Sequence, residues 1–128
     1  MKINIPVSIG ELVDKLTILE IKLSNVSSQE KRSNLKKEYC ELKSVFKNNI
    51  PIEKIEEYYQ KLLVTNKKLW KIEDDIRILE KQKLFNEEFI ELARSVYITN
   101  DERFEIKNTI NSLMGSNIKE EKLYEQYK

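Results

Sequence analysis

"IEKIEEYYQKLLVTNKKLWKIEDDIRILEKQKLF", residues 52–85, decides the fold. Ile55, Tyr58, Leu62, Thr65, Leu69, Ile72, Ile76 and Leu79 recur at alternating steps of three and four. That spacing places them on one stripe of an α-helix and is the seam of a coiled coil. Thr65 is its one polar member. Pro51, just ahead, suits a first helical turn. A helix over the whole stretch would measure ~50 Å. A compact globule of this chain length has a radius of gyration of only ~14 Å. The helix therefore bends, or the molecule is an elongated bundle with a seam long enough for a second subunit.

The flanking sequence carries the same grammar. "MKINIPV" alternates Ile3, Ile5 and Val7 around Pro6 and reads as an extended arm over 1–7. Ser8 and Glu11 form a capping box that opens a helix from Ile9 to about Asn25. Leu12, Leu16, Leu19 and Leu23 form its seam. Ser27 and Glu30 open a second helix to about Lys47, with Leu35, Tyr39, Leu42 and Phe46 on one stripe. Asn86 caps a fourth helix. Thr99 and Glu102, in "TNDE", make a third capping box and predict a fifth helix, ended by Gly115. Residues 118–128 read as a short amphipathic helical tail. The expectation is one all-α domain over 1–128: an elongated bundle of long, coiled-coil-like antiparallel helices with two shorter C-terminal helices.

Composition narrows the function. The chain has 128 residues, 23 basic and 22 acidic, for a net charge of +1. The signs are interleaved, so no basic field steers nucleic acid or a membrane surface. Lys31, Arg32, Lys36 and Lys37, and then Lys67, Lys68 and Lys71, each have Glu nearby and read as solvated faces. Cys40 is the single cysteine, and no apolar run reaches the ~20 residues of a membrane span. The expected compartment is cytoplasmic. With no histidine, serine–histidine and cysteine–histidine catalysis and a structural zinc site are excluded. The expected cofactor is none. Mg²⁺ enters only if clustered carboxylates act as a nucleotide hydrolase.

Four groups could carry chemistry. Trp70, Glu73, Arg77 and Glu80 form a stripe beside the seam of residues 52–85, either a rim of salt bridges or the wall of a ligand site. Glu11, Asp14, Lys15, Ile18 and Lys22 form a similar stripe, read as surface. Glu87, Glu88 and Glu91 resemble the E-E-x-x-E pattern of all-helical nucleotide pyrophosphohydrolases. Their second motif is met only by Glu105 with Asn108, or by Glu11 with Asp14 upstream. Finally, "ARSVYITNDERFEIK" (93–107) sets Arg94 with Tyr97, and Arg103 with Lys107 and Asn111, on shared faces. These would meet Glu73, Asp75 and Glu80 in a buried network, or hold an anionic small molecule. The candidate ligand-binding set is thus Trp70, Glu73, Arg77, Arg94, Tyr97, Arg103 and Lys107.

"IPVSIGELVDKLTILEIK", "LWKIEDDIRILE", "FIELARSVYITNDERFEIKNTIN" and "GSNIKEEKLY", in that order, resemble an uncharacterised bacterial family of small helical proteins, a domain of unknown function, over nearly the whole chain. The resemblance implies a cytoplasmic, all-helical protein linked to saccharide or envelope glycosylation genes, with no established catalytic residues. The reading is a self-associating interaction or accessory protein: a homodimer, with room for another protein partner, no membrane and no nucleic acid. The alternative is a small-molecule or nucleotide binder.

Overall fold

The structure, a computed structural model, describes all of residues 1–128. Ser8 Oγ accepts the Glu11 N–H at 3.1 Å and starts α1, Ile9–Asn25. Ser28 rather than Ser27 starts α2, Gln29–Asn49, by accepting the Lys31 N–H at 3.3 Å. A 3₁₀ turn at Ile52–Lys54 leads into α3, Glu56–Lys81. Asn86 Oδ1 accepts the Phe89 N–H at 3.0 Å and starts α4, Glu87–Met114. No strand is present, and the all-α bundle expected from the sequence is the fold.

Three expectations need correction. The helix expected over 52–85 is shorter: the 3₁₀ turn takes its first residues and α3 stops at Lys81, so its 26 residues span ~39 Å. The two shorter C-terminal helices are one continuous helix of 28 residues. Thr99 does not cap anything; it lies in mid-helix, fully buried. Residues 118–128 are not helical.

α3 and α4 form an antiparallel hairpin, with Lys68 paired to Glu102 at 3.8 Å across it. α1 lies across one half of this hairpin and is the only helix that packs extensively on all three others. α2 covers the outer side of α1, tied by Lys15 to Glu38 at 3.4 Å and by Arg32 donating to the Val26 carbonyl at 3.0 Å. The apolar core joins Leu12, Val13 and Leu16 of α1 to Phe46, Ile50, Ile55, Tyr59, Leu62 and Ile110. Each fully buried aliphatic side chain contributes roughly 1.5–3 kcal/mol. This core occupies the half of the hairpin that α1 crosses. Toward the tip, between residues 70 and 97, only Ile72 and Leu79 are buried.

Candidate functional site

Between α1 and α4 the interior is polar. α1 presents Gly10, Asp14 and Thr17 on one stripe. α4 presents Thr99, Arg103, Lys107 and Asn111, one turn apart. All except Arg103 are buried. A buried carboxylate must be paired and hydrogen-bonded, and Asp14 is. Arg103 Nε donates to its Oδ1 at 2.9 Å, and Arg103 Nη2 grips Oδ2. Asn66 Nδ2 of α3 donates to Asp14 Oδ1 and to Thr17 Oγ1, both at 2.9 Å. Burial alone would raise the Asp14 pKa. The hydrogen bonds from Arg103 and Asn66, with the attraction of Arg103 and Lys107, outweigh burial and hold it below the ordinary carboxylate value.

Lys107 is the second cation of the seam. Its Nζ lies 2.8 Å from Glu120, 2.9 Å from Glu11 and 3.7 Å from Asp14. Burial would lower its pKa, but the bonds to Glu120 and Glu11 and the charge of Asp14 raise it above the ordinary lysine value. Glu11 therefore spends its carboxylate on α4 rather than on closing its capping box. Arg103 and Lys107 face Asp14, Glu11 and Glu120. The chain's own acids already pair with both cations.

α1 comes very close to α4 at Gly10. Its N–H donates to Asn111 Oδ1 at 2.7 Å, satisfying a first-turn donor from another helix. A Cβ at this position would sit 2.6 Å from the Lys107 carbonyl oxygen. Two buried polar atoms in this region have no partner: Thr99 Oγ1 and Asn111 Nδ2.

The candidate set thus divides. Arg103 and Lys107 meet each other, but through Asp14 and Glu11 of α1 and not through Glu73, Asp75 and Glu80. Trp70 is half-buried on α3. Arg77 pairs with Glu73 at 3.1 Å along the same helix, in solvent. Arg94 pairs with its neighbour Glu91 at 3.3 Å. Tyr97 is exposed, with Tyr127 edge-on at 5.0 Å. The sequence reading missed Asn66, Thr17 and Glu120 as members of the network, and took Asp14 for surface. One signal was available: Gly10, Asp14 and Thr17 step by four and three, a small polar stripe beside a leucine seam.

The remaining chemistry is sparse. Glu87, Glu88 and Glu91 stand exposed in the first turns of α4, where the helix dipole favours acids. No group of three His, Cys, Asp or Glu is arranged to hold a metal ion. A cleft of about 240 Å³ opens beside Arg103, between α1 and α2. Glu11, Asp14 and Glu38 line it against Lys15, Lys22 and Arg103, equal in number and opposite in sign. No helix is long and apolar enough to cross a membrane.

Fold and interior together define a class: an all-helical bundle locked by a charge-matched polar seam, with half of its hairpin left open. The chain belongs to the family described as Family of unknown function (DUF6165), which it matches over residues 1–127. No curated protein and no solved structure matches it.

Proposed function

We propose that this protein is a helical interaction module that associates with a second copy of itself through the open side of the α3–α4 hairpin. The observation that carries this is a change in thickness along the hairpin. Asn66 and Asn111 face α1. Trp70 and Arg77, four and eleven residues from Asn66 on α3, and Ala93, eighteen residues from Asn111 on α4, continue the same side past the helix that covers it. Trp70, Ile90, Ala93 and Tyr97 line that side, around the Glu73–Arg77 pair, with Leu84 exposed in the turn beyond Lys81. Ile90 is 48% and Leu84 45% exposed.

Area and charge agree. The chain exposes 9233 Å², against about 7,100 Å² for a compact monomer of its mass. The excess, shared among the open hairpin, the exposed arm of residues 1–7 and the segment after Gly115, exceeds the ~800 Å² that each partner gives to an ordinary interface. On the distal half, α3 carries Lys67, Lys68, Lys71, Arg77 and Lys81 against four acids. The facing half of α4 carries Glu87, Glu88, Glu91, Asp101 and Glu102 against Arg94. A two-fold pairing that sets each α3 beside the partner's α4 brings unlike charges together.

Sedimentation equilibrium tests this. The wild type should weigh twice 15.3 kDa at roughly 0.1 mM, where a micromolar interface is nearly full. Leu84→Asp with Ile90→Asp should give a folded monomer. A wild type that remains monomeric at that concentration sinks the reading. The glycosylation link implied by the family resemblance would make a saccharide-pathway enzyme the alternative partner.

A second reading, a small-molecule or nucleotide binder, draws on the cleft beside Arg103. Its support is the three cations lining that cleft; its weakness is the three acids beside them. Nucleotides, nucleotide sugars and sugar phosphates, each with and without Mg²⁺, should raise the melting point if it holds.

A further inference from the structure

We propose that residues 121–128, beyond the Glu120–Lys107 anchor, form a displaceable strap that masks part of this self-association face. The inference rests on the hairpin reading and adds its regulation. Gly115 adopts φ 61°, and the Ser116 N–H returns to the Asn111 carbonyl at 2.9 Å, so the chain reverses at the end of α4. It then runs back along that helix. Glu120 reaches Lys107 at 2.8 Å, and Lys122 reaches Asp101 at 2.6 Å. Lys122 Nζ also lies 5.5 Å from the Phe104 ring centre, and Tyr127 stands edge-on to Tyr97 at 5.0 Å.

What the strap covers matters. Ile90, Ala93, Tyr97, Asn100 and Phe104 step by three and four and form a second stripe on α4, beside the one that faces α3. The strap lies over its Tyr97–Phe104 end and leaves Ile90 and Ala93 open. Release of the strap would therefore lengthen the apolar stripe that a second copy meets.

The attachment is also weak enough to open. Leu123 is 93% and Tyr124 83% exposed, so the strap buries little apolar surface of its own. Its holds on the masked end are one partly buried ion pair, a cation over a ring and one aromatic edge contact, few in number beside the core of the bundle.

The test compares the dimer dissociation constants of the full-length wild type and the full-length Lys122→Glu, Tyr127→Ala variant by sedimentation equilibrium. A strap closed about nine-tenths of the time leaves about a tenth of each copy competent, and a two-fold pairing needs both copies open, so the variant should dimerise about a hundredfold more tightly. Adding Ile90→Asp should return the variant to monomer. Equal dissociation constants overturn the strap and leave the hairpin reading standing. No dimer from either protein overturns both. Tighter association that survives Ile90→Asp uses another surface and overturns the masking.

Discussion

Arg103 closes on Asp14 with two donors across 89 residues of sequence, Nε meeting Oδ1 at 2.9 Å and Nη2 meeting Oδ2. This pair ties the polar face of α1 to α4. Removing one partner of a buried pair strands the other charge. Asp14→Ala should therefore destabilise by about 3 kcal/mol, the low end of the range because Arg103 keeps some access to water. Urea unfolding measures it. A loss below about 1 kcal/mol, the value of an ordinary surface pair, would make the seam incidental.

The same carboxylate sets an acid limit. Its folded pKa lies below the ordinary 3.8, so the unfolded chain binds the proton first as pH falls. Asp14 thus contributes stability above 3.8 that is lost as pH drops through the folded value. Lys107 has the opposite sign. Its folded pKa lies above the ordinary 10.5, so its contribution is complete below that pH and disappears in alkali. Stability of the wild type relative to Asp14→Asn should be flat near neutrality and shrink below pH 3.8. A difference that grows toward acid would contradict the pairing.

How much of this was legible follows from range. The cap at Ser8, the α1 seam and the α3 stripe were readable because each depends on neighbours within a few turns. The box at Thr99 and Glu102 carried the same local signal and misled. A capping interaction is worth about 1 kcal/mol. One unbroken helix that buries Ile110 and sets Arg103 and Lys107 against the acids of α1 outweighs it. For the network, each polar stripe could be seen on its own helix. Nothing local pairs Asp14 with Arg103 or Lys107 with Glu120, since those choices belong to the packing of distant segments.

Thr99 gives a prediction against intuition. Its hydroxyl is fully buried and has no hydrogen-bond partner. A polar group buried without a partner costs roughly 1–3 kcal/mol, and an apolar replacement of the same shape removes that cost. Thr99→Val should leave the melting temperature unchanged or raise it, although β-branching is retained and a polar group is deleted. A clear fall would mean that the hydroxyl has a partner, a buried water being the simplest.

Gly10 gives the opposite case. Alanine is the better helix former by about 1 kcal/mol, so local propensity favours Gly10→Ala. Packing opposes it. The added Cβ would stand 2.6 Å from the Lys107 carbonyl oxygen and 2.9 Å from Asn111 Oδ1. The Asn111 side chain could swing away, but only by giving up the Gly10 N–H it now accepts at 2.7 Å. The carbonyl belongs to the backbone of α4 and moves only if the helices part, which also stretches Lys107 from Glu11. Overpacking of this kind costs about 1–3 kcal/mol. Gly10→Ala should therefore lower stability in thermal unfolding. Gly115→Ala is the control: nothing lies within 4 Å of its added Cβ, and only its φ of 61° resists the change. It should cost about 1–2 kcal/mol through backbone strain alone and leave the α1–α4 contact intact. Hydrogen exchange of the Gly10 N–H, which Asn111 holds, separates the two, accelerating in Gly10→Ala and not in Gly115→Ala.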